Sequence, residues 1–442
     1  MDDHDMITMP GGVLERIPAL FKFFRIWGVF RPVNIMHMGV FYTIFQDHPR
    51  WFYIFRWFEV VAALSVWGWL AALITGQKAA LPLLVCITLS FFNFYDAFFF
   101  LSSQEYLGLL LTGCAGVCFY KGFFPTITGK GVVSWPWVWW GLLWLLLGFG
   151  SKETFLVVGL AWGLALICAG ISKPRSRRLW AFGSALVLGS LVYGLLLKCF
   201  ATTAHTASYV ITDFGKIAEN AALWARYSLL HHTPWIVIAV VFLVFGKAAG
   251  DRGQHRFWAV ILGAGLYIGY VLVLLPWYTV GFFSTPLGLF LAFLITVLIA
   301  SRLERMNAAL FASFLAAVLA LNMLVSAFAL QAAETYQQDS ASLVKWLATN
   351  TQFEYEVNQN GAVVRSNAME PGGSIPGYVK LFYGKTYEPF IFTPKVREIL
   401  ADIRTRYYLY GPNWGDQDLS RLGKMWYPVF VSQNWIMFRR LY

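Results

Sequence analysis

Long apolar blocks separated by short polar turns fill the first 330 residues of the chain. Phe155 to Ile171 and Leu179 to Leu197 are apolar around the whole helical circumference and lack the polar stripe of a surface helix. A bilayer accounts for such helices more simply than a protein core does. Ten blocks are predicted to span it, at 53-75, 80-101, 106-121, 133-149, 154-171, 179-200, 233-247, 257-276, 285-300 and 307-330. The block Pro32 to Phe45 holds Asn34 and His37. It would rise only ~21 Å against a hydrocarbon core of ~30 Å. It is predicted as an interfacial helix, as is the aromatic and basic stretch Leu20 to Arg31.

The pattern changes at Gln331. Residues 331-442 mix polar, charged and apolar positions, with turn residues at Glu370-Pro371-Gly372-Gly373. Val396 to Ile403 is predicted as a helix, and Tyr407 to Tyr410, Trp426 to Val431 and Trp435 to Phe438 as strands. The expected architecture is an α-helical polytopic membrane protein of about 10 transmembrane helices with a small C-terminal α/β domain outside the cytoplasm. Residues 1-52 form an outer loop with interfacial helices, 53-330 the transmembrane domain and 331-442 the extracytoplasmic domain.

Composition supports the membrane reading: 58% of the residues are hydrophobic and 13% charged, too apolar for an ordinary soluble protein. The net charge of +11 does not point to nucleic acid, because the cations sit in short loops between apolar blocks. Lys173, Arg175, Arg177 and Arg178, then Lys247, Arg252 and Arg256, then Arg302 and Arg305 mark cytoplasmic loops. The turns near 102-105, 150-153, 201-232 and 277-284, and both termini, then fall on the opposite side. A long N-terminal segment on that side needs a preceding span to carry it across, so the topology predicts one further helix before Met1, eleven in all. All five cysteines lie in apolar blocks, which implies neither a disulfide framework nor a zinc site.

Ionisable groups in or beside a membrane are costly, so the charged residues at the outer ends of the spans are the candidates for chemistry. They are Asp2, Asp3 and Asp5 with His4, the Phe30-Arg31-Pro32 tripeptide, Asp96 and Glu105 around the 102-105 turn, and Lys152-Glu153. Glu105 also suits a capping box with Ser102, and Ser151 a helix cap. In the outer loop 201-232, His231-His232 fits a loop or helix end better than a metal site, because adjacent side chains diverge and no third ligand is in view. Carboxylates and cations gathered on one membrane face suit glycosyl transfer from a lipid phosphate: a carboxylate takes the proton of a hydroxyl while a cation stabilises the departing phosphate.

The segment from Asp2-Asp3 through the aromatic stretch and Phe30-Arg31-Pro32 to the first long block resembles the first outer loop of the GT-C glycosyltransferases, multispanning enzymes that use polyprenyl-phosphate-linked sugars. Ser102-Ser103-Gln104-Glu105 resembles the second acidic motif of that class, and Ser151-Lys152-Glu153-Thr154 the Ser-Lys-Glu turn of its protein O-mannosyltransferase-like branch. That branch tends to place a His-Pro pair before the second acidic motif's glutamate, where this chain has Phe100 and Leu101. The resemblance implies an inverting transferase in which Asp3, or Asp2, is the general base. Glu105 would orient the acceptor or help bind a divalent ion if one is used, and Lys152 and Arg31 would contact the donor phosphate. Asp96, inside its span, and Glu153 are supporting candidates.

The expected partners are membrane lipid, a polyprenyl-phosphate sugar, and a glycan, lipid or protein acceptor. The expected location is a bacterial inner membrane with the active site and terminal domain facing the periplasm or exterior. Two other functions share parts of this pattern: an ion-coupled transporter or lipid-linked-sugar flippase, and a polysaccharide polymerase or ligase.

Overall fold

A computed structural model describes residues 12–26, 31–45, 48–91, 94, 104–127, 131–172, 177–200, 214–244, 252–275, 285–300, 308–366, 379, 383–387, 390–392, 404–411 and 425–441. The described chain is mostly helical, with a small sheet toward its C-terminal end. It divides into two compact units on either side of the Ser326–Ala327 bond.

The first unit is helical. Its elements are α1 (Val13–Ile26), α2 (Pro32–Phe45), α3 (Pro49–Thr75), α4 (Ala80–Leu89), α5 (Glu105–Ile127) and α6 (Trp135–Ser151). A 3-10 turn at Glu153–Phe155 leads into α7 (Leu156–Ser172), followed by α8 (Arg177–Phe200), α9 (Phe214–Val244), α10 (Arg252–Leu274) and α11 (Thr285–Ala300). Helix α12 (Ala308–Thr349) begins in this unit and continues past the dividing bond. Proline in the first turn of α3 and of α6 leaves no donor wasted, and Gly76 ends α3 in the left-handed conformation that glycine adopts without penalty.

Among the described residues, four helices are long and apolar enough to cross a membrane: Trp51–Thr75, Glu105–Ile127, Glu153–Ile171 and Arg177–Leu196. Shorter apolar helices cover Ala80–Leu89, Ile261–Leu274, Thr285–Ala300 and Ala312–Leu324. Two of the apolar helices have opposite surroundings. All of α11 is buried, packed against α3, α4, α9 and α10. Helix α8 packs on α7 but leaves Leu188 63% and Leu195 64% exposed. Apolar surface of that kind, repeated on Leu191, Val192 and Leu196, fits a hydrocarbon environment.

One expectation is corrected here, and one helix is longer than its predicted span. Residues 214–232 are not part of an outer loop; they begin α9, where Trp224 is fully buried and the Asn220 amide donates to the Leu275 carbonyl at 2.6 Å. The helix that holds block 307-330 also runs on to Thr349, beyond the change in composition. Its apolar face persists there at helical spacing, with Leu343, Val344, Leu347 and Ala348 buried.

The second unit adds α13 (Thr351–Asn358) and a five-stranded sheet of β1 (Val363–Ser366), β2 (Phe390–Phe392), β3 (Thr405–Tyr410), β4 (Trp426–Val431) and β5 (Ile436–Arg440). The order is β2-β1-β3-β5-β4, with β1 parallel to β2 and β3, and β5 antiparallel to β3 and β4. The Asn350 side chain caps α13 by accepting from the Phe353 amide at 2.9 Å. Strand alternation puts Tyr407 and Leu409 in the core with Phe353, Val364 and Met437, and Tyr408 and Tyr410 in a second cluster with Trp426. Asp339 of α12 accepts from both the backbone and the side-chain amide of Asn434, at 2.9 and 2.7 Å, which ties the β4–β5 hairpin to the helix. The predicted strands at 407–410 and 426–431 appear in the sheet. The predicted strand at 435–438 is shifted, because Trp435 precedes β5 and its indole donates to Ser340. The predicted helix Val396 to Ile403 and the turn at Glu370-Gly373 lie outside the described residues.

Candidate functional site

Three distant segments meet at one end of the helical unit: Arg31, just before α2; Gln104 and Glu105, at the start of α5; and Lys152 to Thr154, between α6 and α7. Small residues allow the approach. A Cβ on Gly150 would lie 2.8 Å from Val33, so glycine lets α2 seat against the end of α6 and brings Arg31 to the turn. A Cβ on Gly108 would lie 2.0 Å from the Phe155 ring, which occupies that space directly after Glu153 and Thr154.

Two ion pairs form here, joined through the side chain and the backbone N–H of Gln104. Arg31 grips Glu153 with two donors of its fork, Nε donating to Oε2 at 2.6 Å and Nη2 to Oε1. Its Nη1 donates to the Gln104 side-chain oxygen at 2.6 Å. Lys152 Nζ donates to Glu105 Oε1, and the Gln104 backbone N–H to Glu105 Oε2 at 2.9 Å. Lys152 and Glu105 are each 2% exposed, whereas Arg31 and Glu153 retain some solvent contact. Below them the Thr154 hydroxyl lies 3.2 Å from the buried Tyr270 hydroxyl of α10.

The backbone favours these charges where they stand. Both carboxylates lie in the first turn of a helical segment, where the dipole attracts anions, and Lys152 caps the C-terminal end of α6, where it attracts cations. Burial lowers the pKa of the Lys152 ammonium below the ordinary lysine value, against the pull of Glu105. The Arg31 guanidinium stays charged at any accessible pH. The cluster therefore offers a bidentate anion-binding fork and an ammonium, each held in place by a carboxylate.

Of the residues the sequence singled out, Arg31, Glu105, Lys152 and Glu153 come together; Asp2, Asp3 and Asp96 lie outside the described residues, as does Ser102. Glu105 is the first residue of its helix, not the third, so the capping-box register does not apply. Ser151 closes α6, its hydroxyl donating to the Gly148 carbonyl at 2.6 Å, and does not cap α7. His232 lies within α9, its Nδ1 2.9 Å from the Tyr267 hydroxyl. Among the described residues no group of three or more His, Cys, Asp or Glu side chains could hold a metal ion. The oxygens of Glu105 and Glu153 are turned to Lys152, Gln104 and Arg31, an arrangement that does not fit a metal cage.

Sequence reasoning missed Gln104 as a partner of Arg31, and it missed Tyr270. It also missed a neighbouring ionic group in which His37 Nε2 lies 2.8 Å from Glu59 Oε1 and Arg56 Nε lies 3.6 Å from Glu59 Oε2. Arg56 stands over the ring of Tyr106, which follows Glu105. The signal for that group was available, since Glu59 is an ionisable residue inside an apolar block. The chain matches no known family model, curated protein or solved structure. The long apolar helices fit the class of helical membrane proteins.

Proposed function

We propose that the protein is a membrane glycosyltransferase of the GT-C type, transferring a sugar from a polyprenyl-phosphate donor to an acceptor hydroxyl on the outer face of the membrane. The supporting observation is the meeting of Arg31, Gln104-Glu105 and Lys152-Glu153, the described parts of three motifs that resemble that class, in one ion-paired cluster. In this reading the chain crosses the membrane about ten times, and the cluster and the C-terminal unit face away from the cytoplasm.

Asp3 takes the proton of the acceptor hydroxyl, and the resulting oxygen attacks the anomeric carbon of the sugar. The bond from that carbon to the phosphate oxygen breaks, and the polyprenyl phosphate leaves with its negative charge. Arg31 and Lys152 receive that charge, the donor phosphate exchanging with the carboxylates that hold them. Glu105, released from Lys152, orients the acceptor.

The test is turnover of a polyprenyl-phosphate sugar, labelled in the sugar, by purified protein with a panel of glycan, lipid and protein acceptors. The expected result is labelled product and free polyprenyl phosphate, both lost in Asp3→Asn although the variant still reaches the membrane. Transfer by Asp3→Asn at the native rate removes Asp3 from the role of base. Failure of the native protein to consume any lipid-linked sugar overturns the reading.

A further inference from the structure

Lys121 lies on α5 about 24 Å along the helix from Glu105, toward the end of the helical unit that faces away from the ion-paired cluster. Two hydrogen bonds fix its level. The Tyr120 hydroxyl donates to the Leu73 carbonyl, near the end of α3, at 2.7 Å, and the Ser134 backbone N–H donates to the Gly122 carbonyl at 2.9 Å, where α6 begins. Lys121 is thus level with the ends of both neighbouring helices, which in a bilayer spanned by α3 and α5 is the interface with water.

The ammonium stands over two indoles. Its Nζ is 4.5 Å from the ring centroid of Trp69 on α3 and 4.4 Å from that of Trp137 on α6, both within cation–π reach. The two tryptophans are 44% and 40% exposed, so the group lies at the perimeter of the bundle. No carboxylate is supplied from the chain around it. The sequence holds no Asp or Glu between Glu59 and Asp96, between Glu105 and Glu153, or between Glu153 and Asp213, stretches that contain α5 beyond its first residue, α6, α7, α8 and most of α3. Phe182 meets Phe123 at 4.9 Å and so brings the start of α8 to the same end, where Lys78, Arg177 and Arg178 are exposed. Cations at the other end are held by carboxylates; Lys121 is held by aromatic rings alone among the described residues.

From this we infer that Lys121, Trp69 and Trp137 bind the headgroup of an anionic bilayer phospholipid, of the phosphatidylglycerol type. The ammonium donates to the lipid phosphate in a charge-assisted bond, and the two indoles pack beside the glycerol and the first acyl carbons. Those exposed rings offer apolar surface that a lipid covers and a free phosphate leaves wet. A zwitterionic headgroup carries an ammonium of its own, which the surrounding cations repel. The inference takes α3 and α5 as membrane-spanning and does not rest on the transferase reading, because binding is measured without turnover.

The experiment is titration of the full chain, delipidated in non-ionic detergent, with phosphatidylglycerol or phosphatidylcholine of identical acyl chains, the bound lipid being counted by native mass spectrometry. The first phosphatidylglycerol is expected to bind more tightly than phosphatidylcholine by about fivefold or more. Lys121→Gln should abolish that preference, whereas Lys78→Gln, which removes an exposed cation at the same end, should leave it intact. Trp137→Leu keeps the charge but should weaken phosphatidylglycerol severalfold, and it serves if Lys121→Gln does not fold. Equal binding of the two lipids by the native chain, or a native preference in both Lys121→Gln and Trp137→Leu, overturns the inference. So does an equal loss in Lys78→Gln, which would mean a diffuse charge in place of a site, or displacement of the lipid by excess inorganic phosphate, which would mean a site for the bare anion.

Discussion

Lys152→Met isolates the energetics of the cluster. The native ammonium and the Glu105 carboxylate are each 2% exposed, so neither can be rescued by solvent when the other is removed. The side chain of methionine fills much of the same space, so the change removes a charge with little loss of packing. Glu105 then keeps its bond from the Gln104 backbone N–H at 2.9 Å but loses the Lys152 ammonium. Breaking one partner of a buried pair costs about 3–5 kcal/mol, roughly a hundredfold to several thousandfold in the unfolding equilibrium. Adding Glu105→Gln removes the buried carboxylate charge and should restore most of the loss, giving a coupling energy of about 2–4 kcal/mol across the cycle. The assay is reversible unfolding of native, single and double variants in mixed micelles, followed by helix content. If Lys152→Met costs less than about 1 kcal/mol, as an exposed pair would, the cluster is wet and the argument from burial fails.

Three further outcomes are expected. Arg31→Lys keeps the charge but loses the fork that spans Glu153 and Gln104, so sugar transfer should fall at least tenfold and unfolding should shift by about 1–3 kcal/mol, measured on the same preparation. Gly108→Ala places a methyl group 2.0 Å from Phe155 and should cost about 1–3 kcal/mol in unfolding while displacing the adjacent Lys152-Glu153 turn, seen as lowered transfer; a neutral outcome would mean that Phe155 can rotate away without consequence. Tyr387, buried and donating to the Leu347 carbonyl at 2.8 Å, has its pKa pushed up to about 12 by burial and then by Glu354. The unfolded chain loses that proton near pH 10 and the folded chain near pH 12, so the stabilisation is complete below pH 10 and is lost as pH rises to about 12, by roughly 2–3 kcal/mol. Denaturant unfolding of the native protein and Tyr387→Phe across that range should show a steeper loss in the native protein, the difference between the two being the contribution of Tyr387.

The parts of the site legible in the sequence were those whose charge conflicts with their surroundings. Arg31, Glu105, Lys152 and Glu153 stand beside apolar blocks, where ionisable groups are rare enough to be noticed. Their pairing was not legible, because the separation of 122 residues between Arg31 and Glu153 carries no pattern. Gln104 and Tyr270 are neutral, and a neutral polar residue at a block end is unremarkable until its partner is known. In the C-terminal unit β3 and β4 were visible because each is a run of six residues rich in aromatic and apolar side chains. Strand β2 has three residues and β1 four, too few for an alternation to register. The change in composition at Gln331 falls close to the division between the two units, but it does not mark a helix end, because α12 runs through it unbroken.

Helix α11 has a consequence for how the bundle is made. It is apolar on every side and buried on every side, so its hydropathy resembles that of a lipid-facing segment although it packs on protein. Its neighbours α3, α4, α9 and α10 all precede it in the chain and leave the ribosome first. The socket is therefore synthesised before its occupant.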